Sequence, residues 1–192
     1  AQPGQKVLDL CAAPGGKSLT LAQCMQDKGQ LISGEFVPGR VSLLRKAFDR
    51  CGVHCAEALQ NDATVPRPAW GTFDRVLCDV PCSGLGVIAK KPDIRCKDLA
   101  GMENLLQTQQ KILQNGADSL AKNGRLVYST CTVNRDENER QVQKFLTANP
   151  NFTLAAPPMA YPGAVDTGFG TLFLPHKTHT DGFFVAILQK NH

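Results

Sequence analysis

Two cysteines, Cys82 and Cys131, each stand just beyond the end of a predicted strand, where a side chain is available for chemistry. Cys82 follows the apolar run that ends near Asp79, and Cys131 follows the run that ends at Thr130. A thiol becomes a strong nucleophile when a helix N-terminus or a positive charge lowers its pKa. Cys131 precedes a predicted helix, so it suits covalent catalysis, and the Asp79 carboxyl could hold a heterocycle through a ring nitrogen.

Other interpretations of the two cysteines remain open. Small buried thiols are common in protein cores, and a redox pair is conceivable although Cys82 and Cys131 do not form a C-x-x-C motif. The closely spaced cysteines and histidines match no standard set of zinc ligands, so we expect no bound metal. Cys78 is expected to face the core, because neighbouring residues of a strand point to opposite sides of the sheet.

Residues 7–18 read V-L-D-L-C-A-A-P-G-G-K-S, which is typical of a strand, a tight turn and a helix start. In an open α/β sheet such a turn lies at the carboxyl end of a central strand, where ligands bind. The glycine spacing differs from the dinucleotide and phosphate-loop motifs. Glu35 ends the next predicted strand, 20 residues beyond Gly15 (35 − 15 = 20), where an acidic side chain can bind a ribose. This combination predicts an adenosyl ligand without a diphosphate.

Strands and helices alternate along the chain, which predicts a doubly wound α/β fold: a mostly parallel sheet with helices on both faces and a C-terminal antiparallel strand. Strands are expected around residues 7–10, 30–35, 53–59, 73–80, 125–130 and 181–190, and helices over 17–28, 40–50, 102–120 and from a capping box at Asn134 and Glu137 to Leu146. Arg40 is expected on the outer face of its helix. The strand ends bring the 11–17 loop, Asp79–Cys82 and Thr130–Cys131 into one crevice.

The composition is that of one ordinary globular domain of 192 residues, 42% hydrophobic and 20% charged. The net charge of +4 permits a polyanionic partner without requiring one. A membrane protein is excluded because no apolar run approaches the ~18 residues of a span, and no signal peptide is evident. Several of the eight cysteines lie inside predicted strands and helices, which favours a reducing, cytoplasmic location over a disulfide framework.

Three motifs in order, Cys11-Ala-Ala-Pro-Gly-Gly-Lys17, Asp79-Val-Pro-Cys82-Ser-Gly and Ser129-Thr-Cys131, resemble the RNA cytosine-5 methyltransferases of the RsmB (Fmu, Sun) family. The resemblance runs from about Pro3 to Lys190 and includes K-P-D-I-R at 91–95 and D-G-F-F at 181–184. It implies a Rossmann-like methyltransferase catalytic domain over residues 1–192, without the N-terminal RNA-binding extension of the family.

The resemblance also implies S-adenosylmethionine as the cofactor. Its binding residues would be Cys11, Ala12, Ala13, Pro14, Gly15, Gly16 and Lys17 in the loop, Glu35 on the ribose, Asp62 near adenine and Asp79 at the methyl-donor end. Cys131 would add to carbon 6 of a cytosine, Asp79 would stabilise charge through ring nitrogen 3, and Cys82 would assist release. Ribosomal RNA is the implied substrate. Transfer RNA, or a binding module with little activity of its own, are the alternatives.

A basic cluster follows Cys82 and comprises Lys90, Lys91, Arg95 and Lys97. Lysine and arginine side chains in this loop could contact the phosphates of an RNA partner. A solvated surface loop explains the same charges equally well. The oligomeric state does not follow from the sequence.

Overall fold

A computed structural model describes residues 1–96, 98 and 100–191; Lys97, from the predicted basic cluster, lies outside the described residues. The strands are β1 (Lys6–Asp9), β2 (Gln30–Glu35), β3 (Ala56–Gln60), β4 (Phe73–Asp79), β5 (Leu120–Thr130), β6 (Phe152–Leu154), β7 (Val165–Asp166), β8 (Thr171–Phe173) and β9 (Phe183–Lys190). The α-helices are α1 (Gly16–Cys24), α2 (Pro38–Cys51), α3 (Met102–Asp118), α4 (Glu139–Ala148) and α5 (Pro175–Thr178), with short 3-10 helices at Pro68–Trp70 and Pro92–Cys96.

The sheet has the order β3-β2-β1-β4-β5-β9-β8-β7, and the strands β3, β2, β1, β4 and β5 are parallel. β9 runs antiparallel to β5, and β6 and β8 share its other edge. The predicted doubly wound sheet with a C-terminal antiparallel strand is therefore confirmed. The strand order reverses between β1 and β4, and the crevice at such a reversal is the usual ligand site of an open α/β sheet.

Helices cover both faces of the sheet because neighbouring strand residues point to opposite sides. Val7 packs in a cluster with Ala22 of α1, whereas the next residue, Leu8, belongs to the cluster that holds Ile112 of α3 and Val142 of α4. The same alternation places Cys78 in the core, as predicted. The sheet and its two layers of helices thus fix the strand ends on which the crevice is built.

Two predicted helix ends are wrong, and each has a local cause. α1 ends at Cys24 rather than Lys28, because Asp27 turns out of the helix and its carboxylate accepts hydrogen bonds from the backbone nitrogens of the two residues before β3, including that of Cys55 at 2.8 Å. α4 begins at Glu139, beyond the predicted capping box. The short strands β6, β7 and β8 lie in the Pro- and Gly-rich tail, where no strand was predicted.

In the described ranges, no helix is long and apolar enough to cross a membrane. Across the same ranges, no group of three or more His, Cys, Asp or Glu side chains is arranged to hold a metal ion.

Candidate active site

A cavity of about 660 Å³ lies at the carboxyl ends of the parallel strands, where the strand order reverses. Each of the five parallel strands contributes a lining residue at or just beyond its end: Cys11 after β1, Glu35 in β2, Asp62 after β3, Asp79 in β4 and Cys131 after β5. All five were predicted site residues. The topology therefore gathers residues that are far apart in the sequence into one pocket.

The loop predicted to bind the cofactor contributes to the cavity unevenly. Cys11 and Ala13 line it, whereas the side chain of Ala12 is buried against α2. Pro14–Lys17 form the turn and the start of α1 beside the cavity rather than its lining. Gly15 has φ of 112°, and a Cβ there would lie 3.0 Å from Leu44, so the turn requires glycine. Burial raises the pKa of the Cys11 thiol, which keeps it protonated and unsuited to nucleophilic attack.

Asp9 supports this loop from below and was not recognised from the sequence. It is fully buried, and its Oδ2 accepts a 2.7 Å hydrogen bond from the hydroxyl of Ser18, which in turn accepts one of 3.1 Å from Ser33. Burial raises the pKa of Asp9 to about 6. These contacts join the ends of β1 and β2 to the first turn of α1, so the loop is held on both sides.

Glu35 is almost fully buried at the end of β2, and its Oε1 accepts a 2.9 Å hydrogen bond from the backbone nitrogen of Val37. Arg40 lies 3.5 Å from the same oxygen and donates a 2.8 Å hydrogen bond to the carbonyl of Ala13. The expectation that Arg40 lies on the outer face of its helix is therefore wrong. Its guanidinium instead joins the Glu35 carboxylate to the loop that is predicted to bind the cofactor.

Asp62 lies just beyond β3, and its Oδ1 accepts hydrogen bonds from the hydroxyl and the backbone nitrogen of Thr64, at 2.7 and 2.9 Å. These bonds hold the pKa of Asp62 below its usual value, so the carboxylate stays ionised and fixed in orientation. Phe36, two-thirds exposed, lines the cavity directly after Glu35 and was missed. The sequence offered one signal for Phe36, which is that it directly follows Glu35, the residue predicted to bind the ribose.

The sulfur atoms of Cys82 and Cys131 lie 3.0 Å apart at the β4–β5 side of the cavity. A hydrogen bond joins the two thiols and lowers the pKa of Cys131; the ammonium of Lys17 acts in the same direction, while burial and Asp79 oppose it. The same hydrogen bond raises the pKa of Cys82, and burial adds to this rise. Cys131 is thus the more nucleophilic of the two thiols.

Asp79 lies between the cofactor loop and the cysteine pair. Its Oδ2 is 2.7 Å from Nζ of Lys17, and its Oδ1 accepts a 2.7 Å hydrogen bond from the hydroxyl of Ser129. The Lys17 ammonium also lies over the ring of Phe183, 5.3 Å from its centre. Lys17 and Ser129 thus orient the Asp79 carboxylate toward the cavity. The two predicted catalytic cysteines line the same cavity.

A buried carboxylate, Glu137, lies behind the cysteine pair. It accepts hydrogen bonds from the backbone nitrogen and the hydroxyl of Ser83, from Gln109 at 3.0 Å and from Asn134 at 3.2 Å. The Ser83 hydroxyl lies 2.9 Å from that of Thr132. The predicted capping box is wrong: α4 begins at Glu139, and Glu137 accepts from the side chain of Asn134, whose backbone nitrogen donates to Thr132 instead.

The loop after Cys82 is bonded to two other segments that border the site. The backbone nitrogen of Gly86 donates a 3.0 Å hydrogen bond to the carbonyl of Cys131, and Lys90 forms a 2.6 Å ion pair with Asp181. Lys91 and Arg95 are exposed and lie outside the cavity lining. The predicted basic residues therefore lie on the surface loop that leaves the site, with Lys90 already paired.

A doubly wound sheet of this order, with a cavity at its switch point, is a Rossmann-like fold, and a solved methyltransferase homologue shares it. The chain belongs to the RsmB/F family of 16S rRNA methyltransferases, whose sequence model matches residues 1–189. Methyltransferases of this family depend on S-adenosylmethionine.

Similar proteins cover almost the whole chain. It is 38% identical over 98% of its length to the probable ribosomal RNA small subunit methyltransferase B of Synechocystis, and 36% identical over 96% to the ribosomal RNA small subunit methyltransferase F of Cronobacter sakazakii. The structure of NSun6 from Pyrococcus horikoshii with SFG superposes with a TM-score of 0.88, at 31% identity, over 98% of this chain and 48% of that one. The chain spans 44% and 40% of the two curated relatives.

Proposed function

We propose that this chain transfers a methyl group from S-adenosylmethionine to carbon 5 of a cytosine in ribosomal RNA, through a covalent adduct with Cys131. The observation that carries the proposal is the pair of sulfurs, 3.0 Å apart and both lining the cavity. Methylation of most other atoms needs no thiol, whereas carbon 5 of cytosine is a poor nucleophile until a group adds at carbon 6.

The cavity suits the cofactor in size and in chemistry. Its volume of about 660 Å³ lies in the range of small-molecule sites. Glu35 offers a buried carboxylate for the ribose hydroxyls, and Asp62 offers an ionised carboxylate for the adenine end. Cys11 and Ala13 line the part nearest the turn, where the methionine portion would bind with Lys17 and Asp79 at its edge. When bound, S-adenosylmethionine supplies a methyl group on a positively charged sulfur.

Cys131 begins the reaction because its lowered pKa favours the thiolate. Its sulfur bonds to carbon 6 of a cytosine that has left its stack, and the electron pair of the C5–C6 double bond moves toward carbon 5. Ring nitrogen 3 takes up a proton from solvent as charge develops on the ring, and the Asp79 carboxylate accepts a hydrogen bond from that N–H; the proton returns to solvent when the double bond is restored. Carbon 5 is then electron-rich enough to take the methyl group.

Cys82 completes the reaction by removing the proton from carbon 5. Once Cys131 is a neutral thioether, the interaction that contributes most to the raised pKa of Cys82 is gone, so Cys82 can release its proton to solvent and act as a base. The C5–H electron pair restores the double bond, the C6–S bond breaks, and Cys131 leaves as a thiolate. The surface loop with Lys90, Lys91 and Arg95 supplies positive charge for phosphate contacts.

The test is methyl transfer from labelled S-adenosylmethionine to RNA substrates, followed by nuclease digestion and mass spectrometry of the nucleosides. We expect labelled 5-methylcytidine from small-subunit ribosomal RNA. Label in transfer RNA alone would reassign the substrate. RNA binding with no label in either RNA would favour a binding module, and label on any other atom would refute the two-thiol chemistry.

A further inference from the structure

We propose that Glu137 is a positioning residue that keeps the thiols of Cys82 and Cys131 within hydrogen-bonding distance of each other. The inference rests on the proposed function, since it names a further residue on which that reaction depends. Glu137 does not line the cavity, so it acts through the segments that carry Cys82 and Cys131.

The Glu137 carboxylate is fully buried, and each of its oxygens accepts two hydrogen bonds. Oε2 accepts from the backbone nitrogen of Ser83 at 2.8 Å and from Gln109 at 3.0 Å, and Oε1 accepts from the Ser83 hydroxyl and from Asn134 at 3.2 Å. Four donors aimed at one carboxylate form a rigid junction, because hydrogen bonds to a charged group are stronger than neutral ones.

These donors lie next to both cysteines. Ser83 follows Cys82 directly, and Gln109, which donates to Glu137, also donates a 2.9 Å hydrogen bond to the carbonyl of Pro81. The residues on either side of Cys82 are therefore both held. The Ser83 hydroxyl extends the junction to the hydroxyl of Thr132, the residue after Cys131, at 2.9 Å.

A purely structural role does not account for a carboxylate at this place. A buried charge must give up its hydration, and apolar side chains of similar volume usually stabilise a core at least as well. Tyr128 hydrogen-bonds to the backbone carbonyl of Glu137 at 2.7 Å, a contact that any residue at this position would provide. What the side chain adds is the alignment of the two cysteine-bearing turns.

The rate at which Cys131 reacts with an electrophile depends on that alignment, because the alignment affects the pKa of its thiol. The groups that set its pKa are the Cys82 thiol, Lys17 and Asp79, together with its own burial. The Cys82 hydrogen bond is the largest of these causes, and it crosses between the two turns that Glu137 holds together. A change at Glu137 that loosens this turn therefore leaves Cys131 protonated more of the time and slows its reaction with an electrophile.

The experiment compares Glu137→Gln with the matched control Glu139→Gln. Glutamine at 137 puts an amide group where an oxygen accepts two hydrogen bonds. Glu139 is also buried, but its ion partner Arg135 lies at 4.0 Å, and in the ranges that the structure covers its side chain forms no hydrogen bond to either turn. Iodoacetamide labelling at pH 7 is followed by mass spectrometry for each cysteine. Exposed Cys51 is the internal reference, and buried Cys78 reports any general loosening.

We expect Glu137→Gln to slow labelling of Cys131 at pH 7 by about 2- to 5-fold, as a rise of up to about one unit from a pKa of about 7 requires, and to lower kcat for methyl transfer without raising the KM for S-adenosylmethionine. Cys78 should stay protected, and Glu139→Gln should behave like the parent. If Glu137→Gln does not fold, Ser83→Ala should show the same slowing. Parental labelling of Cys131 in the folded variant refutes the proposal. Slowed labelling in a protein that never methylates RNA refutes the proposed function and leaves the positioning role standing.

Discussion

The backbone nitrogen of Gly182 donates a 2.8 Å hydrogen bond to the carbonyl oxygen of Gly86. Gly86 in turn donates to the carbonyl of Cys131, so the loop after Cys82, the end of β5 and the segment before β9 meet at one point. A Cβ on Gly86 would lie only 2.0 Å from the carbonyl oxygen of Gly182. Glycine is needed here because two backbones approach each other closely.

Gly86→Ala should therefore push the two segments apart and displace Cys131. We expect a stability loss of about 1–3 kcal/mol, as for other overpacked sites, and a marked fall in methyl transfer. Thermal unfolding and the labelled-methyl assay measure the two effects. Gly101→Ala is the matched control because a Cβ there meets no atom within 4 Å. An unchanged melting temperature and activity in Gly86→Ala would show that this contact does not support the site.

Replacing Cys82 and replacing Cys131 should block different steps of the reaction. Cys131→Ala should reduce methyl transfer by roughly 10³-fold or more, because the activating addition is lost. Cys82→Ala should instead let a protein–RNA adduct accumulate, which denaturing gel electrophoresis with labelled RNA detects. Cys24→Ala, an exposed cysteine away from the cavity, is the control. If both active-site variants methylate RNA normally, the covalent mechanism is wrong.

The pKa of Cys131 should rise when Cys82 is replaced by alanine. The Cys82 hydrogen bond is the largest cause of the lowered pKa, so its loss leaves burial and Asp79 to favour the protonated thiol. The rate of iodoacetamide labelling of Cys131, measured against pH, should then reach its plateau at a higher pH than in the parent. A profile that does not move, or moves to lower pH, would contradict the hydrogen-bonded pair.

Glu35→Ala should weaken cofactor binding. The ribose hydroxyls would lose their hydrogen bonds to a charged carboxylate, which should lower the affinity by roughly 10- to 100-fold. Calorimetry with S-adenosylhomocysteine measures this change. The fold should be only modestly less stable, because β2 keeps its pairing on both sides. Glu57→Ala, an exposed carboxylate on β3, is the control. Equal affinity in Glu35→Ala and the parent would remove Glu35 from the ribose site.

Sequence patterns located the strand ends well, because buried parallel strands are continuous apolar runs and their ends carry the chemistry. Cys11, Glu35, Asp79 and Cys131 could therefore be assigned to one crevice before any coordinates. Arg40 could not, because the helical pattern does not show that a long side chain reaches back over the sheet end.

Glu137 illustrates a second kind of limit. Its spacing from Asn134 fits a capping box, and local spacing cannot show that tertiary donors such as Gln109 compete for the same carboxylate. The strands in the tail were missed for a related reason: the pairing of β6 and β8 with β9, and of β7 with β8, does not show in the local pattern, and the Pro- and Gly-rich composition argues against strands.

The contact between Gly86 and Gly182 also bears on how the molecule folds. The two residues are 96 positions apart (182 − 86 = 96), so their contact closes a long loop of chain. Contacts of such high sequence separation form late, because the chain entropy of closure must be lost first. On the ribosome, β1 to β4 and the strand ends that are predicted to bind the cofactor emerge well before β9. The nascent chain thus contains the whole predicted cofactor-binding part of the domain before the segment that contacts the loop after Cys82 has been synthesised.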